Sequence, residues 1–91
     1  MTEAPWDLVV AGPARRAIDR LPERIALAVL DYLVGPLLEN PHRVGKPLRG
    51  DLVGLHSSRV GAYRIVYEID VRSRTVRVLY IDHRADIYRP R

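Results

Sequence analysis

The sharpest pattern in the chain is the alternation at residues 63–70, YRIVYEID. Tyr63, Ile65, Tyr67 and Ile69 fall on one side, and Arg64, Val66, Glu68 and Asp70 on the other. A period of two marks a strand with one face on a core. The chain reads as strand-like from Leu52 to about Asp82, with strands expected at 52–59, 62–70 and 75–82 and turns at Gly61 and Arg72-Ser73. In the last of these, Val76, Val78, Leu79, Tyr80 and Ile81 are apolar on both faces, as in a central strand. Upstream, WDLVVA (6–11) predicts a short first strand ended by Gly12-Pro13. Ala14, Ala17, Ile18 and Leu21 then recur at helical spacing, with Pro13 suited to the first turn. Leu21-Pro22 breaks that helix, because a residue before proline avoids the helical region.

A second helix follows through IALAVLDYLV. Ile25, Val29, Tyr32 and Leu33 form one stripe, and Leu27, Leu30 and Val34 a second, so this helix is expected to pack on more than one side. Gly35-Pro36 kinks or ends it, with a further turn to Glu39. NPHRVGKPLRG, residues 40–50, carries two prolines and two glycines and is expected to be a loop. The expected architecture is α+β in the order β-α-α-β-β-β. Two N-terminal helices pack on one face of a small antiparallel sheet, a short C-terminal tail follows, and the other sheet face is partly open.

Length narrows this to one domain over residues 1–91. The chain has no cysteine, which excludes disulfides, thiolate zinc sites and cysteine nucleophiles. The longest apolar run, residues 25–30, is far short of the ~20 residues of a spanning helix. No basic segment followed by an apolar run opens the chain, so no signal peptide and no membrane association are expected. These features fit a reducing cytosol, and a cytoplasmic location is the expectation.

Charge changes the picture more. The net charge is +4, but residues 1–40 hold four arginines against six carboxylates, and residues 41–91 hold eleven basic residues against five acids. Of the 15 basic residues only Lys46 is a lysine. A GC-rich genome favours arginine codons, yet that does not explain their concentration in the sheet-forming half. Arginine grips phosphate with a planar fork, so an arginine-rich sheet suggests a polyanionic partner.

The available chemistry is narrow. His42, His56 and His83 are not spaced as ligands on one helix and have no acid cluster beside them, so neither a metal nor another cofactor is expected. Ser57 and Ser58 lack a glycine elbow, and no glycine-rich phosphate loop follows a strand. Arginine, histidine and tyrosine remain. They suit RNA cleavage through the substrate's own 2′-hydroxyl, where the protein orients the nucleophile, moves protons and stabilises charge on phosphate. Antiparallel pairing should bring the end of the last strand beside the start of the 62–70 strand, making Arg64, His83 and Arg84 neighbours. Tyr88 comes within reach if the tail folds back. Arg59 and His56 lie on the adjoining strand with opposite parity, sharing a face only if a bulge intervenes near Gly61.

Each candidate also has a structural explanation. Arg64 could pair with Glu68, Arg59 with Asp51 or Asp70, and Arg84 with Asp82 or Asp86. His42 suits a solvated or capping position, His56 a structural strand position, and Tyr63 and Tyr67 the core.

Taken together, GKPLRGDLVGLHSSRVGAYRIVYEID (45–70) and YIDHRADIYR (80–89) resemble the RelE-type toxins of bacterial toxin–antitoxin systems, within the RelE/ParE superfamily. The loop pattern P-x-x-x-x-K-x-L is met by Pro41, Lys46 and Leu48. The strand turn R-x-G-x-Y-R-x-x-Y is met by Arg59, Gly61, Tyr63, Arg64 and Tyr67, and the tail H-R-x-D-x-Y by His83, Arg84, Asp86 and Tyr88. ARRAIDRLPERI fits the helix hairpin. The resemblance spans nearly the whole chain.

It implies a small antiparallel sheet under two helices, and an mRNA endonuclease acting on codons in the ribosomal A site without metal. The product ends would be a 2′,3′-cyclic phosphate or 3′-phosphate and a 5′-hydroxyl. The implied partners are a cognate RelB-type antitoxin in a hetero-oligomer, the 70S ribosome with its mRNA and rRNA, and operator DNA only through the antitoxin. Arg64 matches the arginine that stabilises the scissile phosphate, and Arg84 and Tyr88 match tail residues acting on leaving group and base. Arg43, Lys46 and Arg49 are the expected backbone contacts. One departure stands out: the family's strand lysines, used for proton abstraction, are absent from LHSSR, leaving His56, His83 and Arg59 as substitutes. The alternative readings are a ParE-like inhibitor of DNA gyrase, or a catalytically weak RNA-binding or ribosome-binding relative.

Overall fold

The computed structural model describes residues 6–83. A short strand β1 (Asp7–Val10) leads into helix α1 (Gly12–Arg20), then α2 (Glu23–Val34) and two single-turn helices, α3 (Pro36–Glu39) and α4 (Pro41–Val44). Strands β2 (Lys46–Pro47), β3 (Leu55–Val60), β4 (Tyr63–Asp70) and β5 (Thr75–His83) complete the described chain. The punctuation expected from proline is observed. Leu21 is extended, with ψ 147°, and Pro22 stands just before the first turn of α2.

The sheet order is β1-β5-β4-β3-β2. The α+β architecture with helices on one sheet face agrees with the sequence reading, but the sheet is mixed rather than purely antiparallel. β1 lies parallel to β5, with Leu8 beside Val76 and Val10 beside Val78. This gives β5 a neighbour on each side, which its run of apolar residues requires. Two further expectations are corrected. The 40–50 segment is not a plain loop, since Pro41 opens a helical turn and Lys46–Pro47 pairs with β3. The β3 strand starts at Leu55 rather than 52, because Gly50–Leu52 form a 3-10 turn that opens on Gly50 at φ +64° and is followed by Gly54 at φ +96°.

The core lies between the helices and one sheet face. Ala14, Val29, Leu33 and Leu37 meet Ile65, Tyr67, Val76, Val78 and Ile81. Full burial of an aliphatic side chain such as Leu33 contributes about 1.5–3 kcal/mol. The second apolar stripe of α2 is not packed, contrary to expectation. Leu27, Leu30 and Val34 are 56%, 40% and 63% exposed, because the sheet covers only the Val29/Leu33 side.

Hydroxyl contacts fasten the α4–β2 segment to the sheet. Tyr67 donates to the Pro41 carbonyl at 2.7 Å. Tyr32 donates to Ser58 Oγ at 2.8 Å, and Ser58 in turn donates to the Val44 carbonyl at 3.3 Å. Burial pushes the Tyr67 phenol above its ordinary pKa of 10.0, so it stays a donor. Gly45 is required here by close approach, since a Cβ would run into the Tyr67 hydroxyl and lie 2.8 Å from the Ser57 carbonyl oxygen. This fit delivers Lys46 to the sheet edge.

Candidate functional site

The β3–β4 register answers why two arginines flank the Gly61 turn. Arg59 pairs directly with Arg64, and Arg64 pairs with Asp82 on β5. Cross-strand partners share a face, so Arg59, Arg64 and Asp82 form one row across the face opposite the helices. Gly61, at φ +59°, makes the tight return that sets this register. The next row holds Lys46, Ser57, Val66 and Tyr80, and the one beyond holds Leu55, Glu68, Arg77 and Val9.

Like charges placed directly opposite in a sheet are destabilising. The Arg59–Arg64 pairing therefore has a cost that only a counter-charge offsets. Asp82 supplies part of it, 3.5 Å from an Arg64 terminal nitrogen. Both side chains are mostly covered, at 23% and 21% exposure. The contact is long for a charge-assisted bond, which is normally about 2.7–2.9 Å. Arg64 Nε is buried and has no hydrogen-bond partner among the described residues. The suggested Arg64–Glu68 pair does not form. Glu68 instead accepts from Arg77 at 2.8 Å, because β4 and β5 set those two residues opposite each other.

Other candidates lie elsewhere. His83 is adjacent in register to Arg64 but pairs with Tyr63, and their rings meet edge-on at 5.0 Å on the helix-packed face. His56 pairs with Tyr67 and stacks on it at 5.6 Å. His42 follows at 6.4 Å, with Trp6 edge-on to His42 at 5.6 Å and Arg74 over the Trp6 ring at 4.7 Å. No bulge at Gly61 brings His56 to the arginine face. Burial, and secondarily the charge of His42, lowers the His56 pKa from its ordinary 6.5. His56, one of the candidate substitutes for the missing strand lysines, thus lies on the face opposite Arg64. Lys46 stands on the arginine face, while Arg43 and Arg49 are exposed on either side of it in the chain. Arg84 and Tyr88 lie outside the described residues. Among the described residues, no three histidine or carboxylate side chains gather as metal ligands.

Asp82 and Tyr80 were not singled out as site residues from the sequence. The ladder skips one residue of β5, Leu79, between the Val66–Tyr80 and Tyr67–Val78 pairs. That bulge shifts the alternation of β5 midway, so its apolar run conceals which of its polar residues reach the arginine face. Pair counting back from the turn was the available signal. It placed β5 beside Arg64 but not the side chains on their faces. Val66 also departs from simple alternation, being fully buried on the arginine side in the middle of its row.

Comparison with known proteins adds to this geometry. The model of a family described as the ParE toxin of type II toxin-antitoxin system, parDE, matches residues 8–88. Toxin RelE of Mycobacterium tuberculosis (strain ATCC 25618 / H37Rv) is 49% identical over 85 residues, covering 93% of this chain and 88% of that protein. Toxin RelG of the same strain is 48% identical over 85 residues, covering 93% and 98%. A chain in the crystal structure of the toxin–antitoxin complex RelBE2 from Mycobacterium tuberculosis matches with a TM-score of 0.84 and 44% identity. The match covers 89% of this chain and all of that one.

Proposed function

Since the chain belongs to the ParE toxin family of type II toxin–antitoxin systems, as a toxin of the RelBE type, we propose that it is a ribosome-dependent mRNA endonuclease. It cuts codons in the ribosomal A site by metal-independent attack of the substrate's 2′-hydroxyl on the adjacent phosphate. The observation that carries this reading is the Arg59–Arg64–Asp82 row on the sheet face away from the helices, with Lys46 in the adjoining row.

The scissile phosphate sits at Arg64. Its guanidinium holds Asp82 only loosely, so a phosphate gains hydrogen bonds at the terminal nitrogens with little to displace. Charge that develops on the phosphorane oxygens is met by Arg64 and Arg59. Lys46, Arg43 and Arg49 hold mRNA or rRNA backbone. Arg84 and Tyr88 serve the leaving group and proton transfer, as the family resemblance implies. A RelB-type antitoxin neutralises the chain by covering the basic face with an acidic segment.

Residues 8–88 match a family described as ParE toxin, and the resemblance to ParE-like members implies a second reading, in which the chain binds and inhibits DNA gyrase. The absence of lysine from β3 is consistent with it.

Inducible expression with 5′-end mapping of cellular RNA separates the two, comparing the native chain with Arg64→Ala. The nuclease reading expects cuts inside translated codons with 5′-hydroxyl ends. In the variant, cutting should fall by about 10²–10³-fold, the usual effect of removing one transition-state donor, while ribosome association is largely kept. Full toxicity of Arg64→Ala would remove Arg64 from the site. Growth arrest with no cuts, accompanied by DNA-damage signalling, would establish the gyrase reading instead.

A further inference from the structure

We propose that Asp82 is the general base that takes the proton from the 2′-hydroxyl, an inference that rests on the nuclease reading above. Among the described residues, the relevant face has few groups able to accept a proton. His56 and His83 are across the sheet, stacked on Tyr67 and packed edge-on to Tyr63. Glu68 is held at 2.8 Å by Arg77 and lies four residues along β4 from Arg64, about 13 Å at strand rise. Lys46 and Tyr80 belong to the neighbouring row. Asp82 is the carboxylate in the same row as Arg64, 3.5 Å from its guanidinium.

That placement has a chemical consequence. In RNA the 2′-oxygen lies close to the phosphorus it attacks, about 3–3.5 Å away in a near-attack arrangement. A phosphate gripped by Arg64 therefore brings its own 2′-hydroxyl beside any carboxylate held on the same guanidinium. The 3.5 Å separation leaves the carboxylate oxygens underused by Arg64. Arg59, directly opposite Arg64, keeps the row net positive, so a phosphate still binds next to a carboxylate.

The step balances without further reactants except solvent. The Asp82 carboxylate accepts the 2′-hydroxyl proton, and the 2′-oxygen lone pair forms the new bond to phosphorus. The bond from phosphorus to the 5′-oxygen breaks, its electron pair stays on that oxygen, and a proton drawn ultimately from solvent reaches it on the leaving-group side, the side given above to the tail. A 2′,3′-cyclic phosphate and a 5′-hydroxyl result, and the Asp82 carboxylic acid returns its proton to solvent.

The test is single-turnover cleavage of mRNA on 70S ribosomes, using an mRNA set that presents every sense codon in the A site. Asp82→Asn keeps the shape of the side chain and can still accept a bond from Arg64, but it cannot take a proton. The expected result is that Asp82→Asn and Asp82→Ala each lose at least about 10²-fold in rate, that Asp82→Glu recovers part of it, and that ribosome association of all three stays near the native level. Formate added to Asp82→Ala should restore cleavage by supplying a carboxylate. Asp82→Asn within about threefold of the native rate overturns the proposal and leaves Asp82 only a support for Arg64. If Asp82→Asn does not fold, a folded Asp82→Glu without cleavage overturns it equally. A native chain that makes no cuts overturns the nuclease reading itself, and this inference with it.

Discussion

His56 shows how one side chain couples the fold to pH. Its ring is stacked on Tyr67 with a buried, unpartnered Nδ1 among the described residues, and His42 stands close by. Both burial and that neighbour disfavour its charged form, so its folded pKa lies below 6.5. The unfolded chain therefore binds a proton first as pH falls. Stability from this site is fully present above pH 6.5 and is lost as pH drops below it through the folded value. Thermal unfolding between pH 7.5 and 5 should show a falling midpoint. His56→Phe, which retains a ring for stacking, should flatten that fall. An unchanged pH slope in the variant would detach His56 from acid sensitivity. The sequence favours a structural strand position for the histidine in LHSSR and leaves a catalytic one open, but it does not show the stacking partner or the pH coupling. Which face it takes depends on pairing with β4, a tertiary fact.

At the scale of elements, α2 carries two apolar stripes, and the sheet selects one. Leu33 is fully buried, whereas Leu27 is 56% exposed on the same helix. Leu33→Ala should cost about 2–5 kcal/mol in urea unfolding, through reduced apolar burial and the cavity left behind. Leu27→Ala should stay within about 0.5 kcal/mol. Comparable losses at both positions would mean that the second stripe is also covered in the folded chain. The helices and the three-stranded meander were legible because their periods of 3.6 and 2 are unambiguous and proline and glycine mark their ends. The parallel partner of β5 was not, since four residues at 7–10 contain no signal for strand direction. The short β2 was hidden by Pro47 and by a length of two residues.

The whole molecule separates its charges. The helical half of the sequence is slightly acidic, and the half that supplies β2 to β5 is strongly basic. On the proposed reading this makes ribosome binding a matter of counterion release, with affinity falling steeply as salt rises. Replacing Arg43, Lys46 and Arg49 together with alanine should reduce the slope of log affinity against log salt by about 2–3, close to one for each phosphate no longer neutralised. Retention of the native slope would place these three residues off the RNA.

The sequence by itself determined the order of the main helices and strands, the core-facing side of β4, the basic character of the second half and, through its motifs, the toxin family. These are local or compositional properties, carried by residues close together in the chain. Only the tertiary structure decided which side chains share a face. Arg59, Arg64 and Asp82 come into one row because a two-residue turn at Gly61 fixes one register and the β5 bulge at Leu79 shifts another. A shift of one residue in a strand exchanges its two faces, so the candidate site rests on register, which no single segment of the sequence states.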